Sequence, residues 1–481
     1  MRRLLPFLCC LLPLSAVAAD RVWIVGGGPE LEHSQVQIER NVAFARRVMA
    51  ERLPRARIGT WFTDGDDPRP DVKEWRRPDE ADAALQPLAR VLDTYMLNGN
   101  GYRNHRLADV DGPASRRAVL EALARGLPAL GAGEEGWLVY AGHGSPAARA
   151  EGGSRLDLWD HERVTVADLQ GVVARAGPPP GSRFRFVMTQ CHAGAFARLA
   201  WPDGRPPDGR VCGFMAVSED GLAEGCTADL DAGNYRGYST YFFAALSGRA
   251  RDGAPLAFDP DGNGDGRVDP YEAHLYTLVA ARSTDIPRST SEQWLLDQAP
   301  WYLPLVPVTP APDNPFRPLV IELARTLGID PAVRPLRRAI HPRRLAWSAR
   351  LKVLSDRQDR HRAAAAGARG VIARELVARF PQVRWPHTLG YARFLREDLA
   401  EAQALVRSHP LYVPMREDQD AYWRLDGARL ELERQLALLD RLQHLDALAR
   451  RFDHFAARPD APAWAAYTRL NACERTPLGD Y

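Results

Sequence analysis

The chain has 481 residues, 45% hydrophobic and 26% charged, which gives material for two or more domains and excludes an intrinsically disordered protein. The formal net charge is only +2, with acidic and basic residues interspersed, which argues against nucleic acid as the main partner. Nearly all the basic charge is arginine, Lys73 and Lys352 being the only lysines, a skew that we read as nucleotide-composition bias in the source genome.

The first residues, "MRRLLPFLCCLLPLSAVAA", combine Arg2-Arg3, a short apolar stretch and small residues at Val17 and Ala19. They predict a secretory signal peptide over 1–19 and hence a periplasmic or secreted protein. The apolar run is too short and proline-broken for a membrane span. Without the leader, four cysteines remain: Cys191, Cys212, Cys226 and Cys473. In an oxidising compartment Cys212 with Cys226, flanking one short segment, is the first candidate disulfide, which would leave Cys473 unpaired or joined to a partner outside this set; spacing alone does not decide the connectivity.

From residue 20 apolar runs alternate with helical spacing. Strands are predicted at 21–28, 57–65, 136–144, 183–191 and 211–219, and helices at 37–53, 115–130 and 165–176. Near-continuous apolar strands separated by helices predict a three-layer αβα domain over 20–300, with a mostly parallel sheet and its ligand site beyond the carboxyl ends of the strands. The proline-dense segment 301–318 predicts an extended linker, and 319–481 a helical C-terminal domain. Leu425, Leu432, Leu436, Leu439, Leu442, Leu445, Leu448 and Phe452 form one apolar stripe at helical spacing, the pattern of a bundle core.

Two strand ends carry chemistry. "LVYAGHGS" places His143 between glycines, and "FRFVMTQCHAGAF" places Cys191 just past the next strand, 48 residues on. A right-handed parallel crossover brings both ends to one edge of the sheet. A thiol with an imidazole nearby can attack a carbonyl, and Gly144 leaves an amide free to face a developing oxyanion, which are the parts for acyl transfer through a thioester. Thr189, Ser218, Glu219 and Asp220, at or beyond the strand ends, are candidate substrate-binding residues. Glu219 and Asp220 would favour a basic substrate side chain, whereas Arg236 would favour an acidic one. His192 should point away from its neighbour and is read as structural.

Strand–"GHGS" and strand–"TQCHAG", followed by "LDLWDHERVTVADL" and "YSTYFFAAL", resemble the legumain-like cysteine peptidases, of the caspase-fold clan that includes gingipains and clostripain. The resemblance covers roughly residues 20–300. It implies a caspase-like fold, Cys191 as nucleophile, His143 as its partner acting chiefly on the leaving amine, and the amides of Gly144 and Cys191 as oxyanion donors. Thr189 stands where legumain has an acidic pocket residue, and Glu32-His33 where it has an arginine-histidine pair. Legumain's helical C-terminal region covers its active site until removed, so residues 319–481 are expected to cap the cleft, with the linker as the point of release. A transamidase or ligase using the same dyad, and an inactive scaffold binding an envelope partner, are the competing readings.

"DGNGDGRVDPYE" (261–272) fits the EF-hand loop. Asp261, Asn263 and Asp265 fall at positions one, three and five, and Gly266 at six. Arg267 would offer its carbonyl at seven, with Asp269 at nine and Glu272 at twelve. A single extracellular loop of this kind binds Ca²⁺ with a dissociation constant of roughly 10⁻⁴–10⁻³ M, suited to a structural ion. No organic cofactor is implied.

Overall fold

A computed structural model of the chain describes residues 19–75, 83–92, 101–385 and 388–479, so the expected leader lies almost wholly outside it. In chain order the first elements are β1 (Arg21–Gly27), α1 (Val36–Arg52), β2 (Arg57–Phe62), β3 (Val72–Glu74), α2 (Gln86–Leu92), β4 (Gly101–Arg103) and α3 (Arg116–Gly126). They continue through β5 (Glu135–Ser145), β6 (Arg155–Asp157), β7 (Arg163–Thr165), α4 (Val166–Ala176), β8 (Arg183–Met188), β9 (Val211–Met215) and α5 (Tyr238–Ser247). Next come α6 (Pro270–Ala280), β10 (Arg288–Ser289), α7 (Thr290–Gln298), α8 (Phe316–Thr326), α9 (Arg337–Arg379), α10 (Leu389–Glu397), α11 (Leu399–Ser408), α12 (Tyr412–Ala456) and α13 (Pro462–Arg475).

The central sheet runs β10-β9-β8-β5-β1-β2, parallel throughout except for the edge strand β10, which pairs antiparallel to β9. Its strands are apolar on both faces: Ile24 and Val25, Trp137 to Tyr140, and Phe184 with Phe186 to Met188 are all buried. Such strands need cover on both sides. Helix α1 packs on β1 and α5, and α3 packs on β1 and α4, which makes three layers. The strand order reverses between β1 and β5, and the crevice there, above the carboxyl ends, is where such sheets place their ligands.

The helices after residue 318 divide between two cores. Helix α8, the second half of α12 and α13 join the same buried apolar cluster as the sheet, with Leu439, Leu442, Leu445 and Leu448 of the predicted stripe at its centre. A second, smaller core lies further along α9 to α12, where Leu88 and Val91 of α2 insert. The proline-rich segment is shorter than expected, because α8 already begins at Phe316.

Polar contacts bind the C-terminal helices to the sheet domain. The disulfide is Cys212–Cys473, joining β9 to α13, and the expected Cys212–Cys226 pair does not form. Cys212 is the second residue of β9 whereas Cys226 lies beyond its other end, so the strand itself holds the two sulfurs apart. The buried Arg441 donates to the carbonyls of Ala281 (2.7 Å) and Ser283 (2.6 Å), capping the end of α6 from α12. Arg185, fully buried on β8, pairs with Glu135 (2.7 Å) and donates to the Thr476 carbonyl (2.7 Å).

Glu474 sits over the start of α7, accepting from Thr290 Oγ1 (2.6 Å), Ser291 N (2.7 Å) and Ser291 Oγ (2.5 Å). Burial nevertheless pushes its carboxyl up to about 7, against an ordinary 4.5. The folded state therefore prefers the proton, and unfolding free energy falls as pH rises from about 4.5 to about 7, by up to about 3 kcal/mol for this group. Glu474→Gln is expected to flatten the fall in melting temperature between pH 5 and pH 8 in a calorimetric series, relative to the parent. An unchanged slope would show that this carboxyl does not carry it.

Candidate active site

Strand β5 leaves the parallel sheet at Gly142, paired with Gly27, and its last three residues turn to pair antiparallel with β6: His143 with Asp157, Gly144 with Leu156 and Ser145 with Arg155. The corner is held from below. The buried Tyr140 hydroxyl lies 2.8 Å from the His143 carbonyl and 2.9 Å from that of Asp157, sharing its proton between them. Ser145 Oγ donates to Asp157 Oδ2 at 2.5 Å. The glycines are required by close approach: a Cβ at Gly142 would stand 2.6 Å from the Gly27 carbonyl oxygen, and one at Gly144 would stand 2.5 Å from that of Cys191. The backbone beside His143 therefore touches the backbone of Cys191.

The two side chains nonetheless have other partners. His143 Nε2 lies 2.9 Å from Gln35 Oε1, and the His33 ring stands edge-on at 5.8 Å. Burial holds the His143 imidazole below its ordinary pKa, opposed in part by a hydrogen bond that the ring donates to the His33 backbone. Cys191 Sγ accepts from Ala223 N at 3.3 Å. Burial raises the Cys191 thiol above its ordinary pKa, opposed in part by that amide. Among the described residues no hydrogen bond joins Cys191 to His143, and at neutral pH the favoured forms are a thiol and a neutral imidazole.

The other predicted residues divide into two places. The Thr189 hydroxyl donates to the Tyr140 carbonyl at 2.9 Å, tying β8 to β5. Ser218, Glu219 and Asp220 line a cavity of about 620 Å³ with Arg149, Arg198 and Arg288, and neither His143, Thr189 nor Cys191 lies on its wall. Glu219 is held by Arg198 through two hydrogen bonds of 2.7 and 3.0 Å, which lower its carboxyl pKa and neutralise its charge. His192 is held by two hydrogen bonds to the loop after β9. At φ +60° its N–H donates to the Gly221 carbonyl and its Nδ1 to that of Glu219, both at 2.8 Å.

Gln35, Ala223 and Cys226 were not legible as site residues. They arrive on the loops after β1 and β9, and no local pattern marks them. Cys226 Sγ reaches the Gly142 carbonyl at 3.7 Å, its thiol pushed up to about 12 by burial and by Cys191. The loop carrying Ala223 and Cys226 is fastened behind by Asp285, which accepts from Glu224 N (2.6 Å) and Tyr238 N (2.7 Å). From α12, Arg434 pairs with Glu224, and Trp423 packs on Trp75 with ring centroids 5.3 Å apart.

The 261–272 loop is wrapped on its own acidic groups. The Asp261 carboxylate accepts from Gly264 N (2.7 Å) and Gly266 N (2.8 Å), Asn263 Oδ1 from Asp265 N (2.8 Å), and Asp265 Oδ1 from Arg267 N (2.9 Å). Glu272 Oε1 accepts from Gly262 N and Asn263 N, both at 3.1 Å, while Asp269 and Glu272 form the capping box of α6. Gly266 takes φ +82°, the sharp turn its position asks of it. No incoming helix precedes the loop. Among the described residues no group of three His, Cys, Asp or Glu side chains stands in metal-holding geometry.

No family model matches the chain, and no curated protein matches it. Among solved structures, a structural-genomics target from Geobacter sulfurreducens aligns over 47% of this chain and 82% of its own, at 13% identity and a TM-score of 0.28, too distant to carry an argument.

A raised thiol pKa fixes the sign of one measurement. Thiolate is scarce at neutral pH, so alkylation of Cys191 by iodoacetamide is expected to be slow at pH 7 and to rise about tenfold per pH unit up to at least pH 9. A rate already on a plateau at pH 6, read by mass spectrometry of the Cys191 peptide, would show instead a preformed thiolate–imidazolium pair.

Proposed function

We propose that the chain is an exported cysteine peptidase that cleaves peptide bonds through a thioester on Cys191. The observation that supports the reading best is the contact of the Gly144 backbone with the Cys191 carbonyl, which puts the "GHG" corner and the nucleophile loop at one place on the sheet. Sγ passes its proton to His143 as it attacks the scissile carbonyl carbon, and the imidazolium so formed gives that proton to the departing amine as the C–N bond breaks. Water then attacks the thioester and Cys191 recovers its proton. An imidazole of low pKa gives up a proton readily, which suits it to the leaving amine. The Gly144 and Cys191 amides are the oxyanion donors in this scheme. Export is proposed from the leader alone. Among the described residues no helix is long and apolar enough to cross a membrane.

In this reading α12 restricts access, since Arg434 and Trp423 hold it against the loops beside Cys191. A cut between residues 306 and 315 would not free the helices, because Cys212–Cys473 still joins the pieces. Release would need reduction as well. Peptide or protein is the substrate class, and its side-chain preference is sought on the side of Gln35 and Ala223.

The proposal also places a structural Ca²⁺ in the 261–272 loop, held by Asp261, Asn263, Asp265, the Arg267 carbonyl, Asp269 and Glu272. Hard oxygen donors at alternating positions and a left-handed Gly266 fit that ion. Bound there, the ion would screen four carboxylates from one another and stiffen the entry to α6.

Incubation of the protein with a diverse peptide library, read by mass spectrometry, is expected to show cleavage that Cys191→Ala abolishes and His143→Ala lowers by about 10² or more. Cleavage that survives Cys191→Ala would end the peptidase reading. Dialysis against EDTA is expected to lower the melting temperature by a few degrees and to expose the 250–270 segment to trypsin, with Ca²⁺ restoring both. An EDTA-treated sample identical to the starting material would remove the ion from the scheme.

A further inference from the structure

Helix α9 concentrates charge that the chain as a whole lacks. Its 43 residues span about 65 Å at the usual rise and contain 12 Arg or Lys against 3 Asp or Glu, a net +9, whereas all 481 residues sum to +2. Its partner α12 has 7 basic and 9 acidic residues, a net −2, so the basic charge belongs to one side of the helix pair. The inward stripe of α9, Ile340, Gln358, Ala365, Ile372 and Leu376, is buried. On the opposite side Arg338, Lys352, Arg360 and Arg374 recur at roughly helical-repeat spacing and are exposed. Some cations of α9 are compensated, Lys352 by Asp356, Arg362 by Asp359, Arg344 by Asp440 and Arg379 by Glu401.

The same outward side also shows aliphatic groups. Leu345 is 58% and Val353 57% exposed, between the arginines. Just past the carboxyl end of α9, Trp385 (66%) and Leu389 (90%) are exposed as well. A helix with cations flanking exposed aliphatic and aromatic groups matches a bilayer interface, where phosphate headgroups meet the cations and the acyl boundary receives the apolar side chains. A nucleic acid would satisfy the arginines and leave Leu345 and Val353 in water.

We propose that the outward face of α9 is a docking surface for an anionic phospholipid bilayer, lying along the headgroups without crossing them. The inference is independent of the chemistry at Cys191. The test is co-sedimentation of the full chain with phosphatidylglycerol–phosphatidylcholine vesicles, with phosphatidylcholine vesicles as control. Binding is expected to the anionic vesicles alone, to weaken with salt, and to fall at least about tenfold in Arg338→Glu/Arg360→Glu/Arg374→Glu. Leu345→Ser/Val353→Ser should weaken it about threefold or more at unchanged net charge. These side chains are exposed, and an unchanged melting temperature certifies each variant's fold. The second variant and the salt series judge the proposal if the first is unstable. Absence of binding to anionic vesicles, charge-reversed protein binding as the parent does, or loss of vesicle binding to a double-stranded oligonucleotide together with an inert Leu345→Ser/Val353→Ser pair would each overturn it.

Discussion

The site depends on backbone touching backbone where β5 and β8 end. Parallel register sets Tyr140 beside Met188, and from there one chain turns into β6 while the other turns into the Cys191 loop. The two diverging chains pass so closely that a side chain at position 144 would collide with the Cys191 carbonyl. The constraint is steric, so it holds whatever the charge state of His143 or Cys191. It also explains the glycines of "GHG" without appeal to catalysis: one clears Gly27, the other clears the Cys191 loop.

The Tyr140 hydroxyl, the Thr189 hydroxyl and the Ser145–Asp157 hydrogen bond all hold the corner in shape. Gln35 orients the His143 ring and the Ala223 amide faces the sulfur. The loop that supplies Ala223 is in turn braced by Asp285 and by Arg434 from α12. Helices remote in sequence thus bear on the sulfur's surroundings through two residues, Glu224 and Ala223.

The C-terminal helices belong to the sheet domain for the same kind of reason. Arg441, Arg185 and Glu474 are buried ionisable groups that the chain tolerates only because each finds several partners, at least one of them across the boundary between the two halves. Together with Cys212–Cys473 they make α13 part of the wall behind β9. Towards the far end of α9 the packing thins to a second small core, and there the helix pair turns its arginine-rich side to solvent.

Most of the layered fold was legible in the sequence, because apolar runs and helical spacing are local properties: β1, β5, β8, β9 and α1 fall within a few residues of their expected positions. So were the placement of His143 and Cys191 at strand ends and the turn chemistry of the 261–272 loop, both carried by contiguous residues. The disulfide partner of Cys212, the separation of Ser218 to Asp220 from the Cys191 crevice, and the roles of Gln35 and Ala223 were decided by tertiary structure alone. Each depends on how far apart strand ends and returning loops come to lie, a distance that side-chain spacing along one chain does not encode. The charge of α9 was present in the sequence, but only packing against α12 decided which of its residues face water.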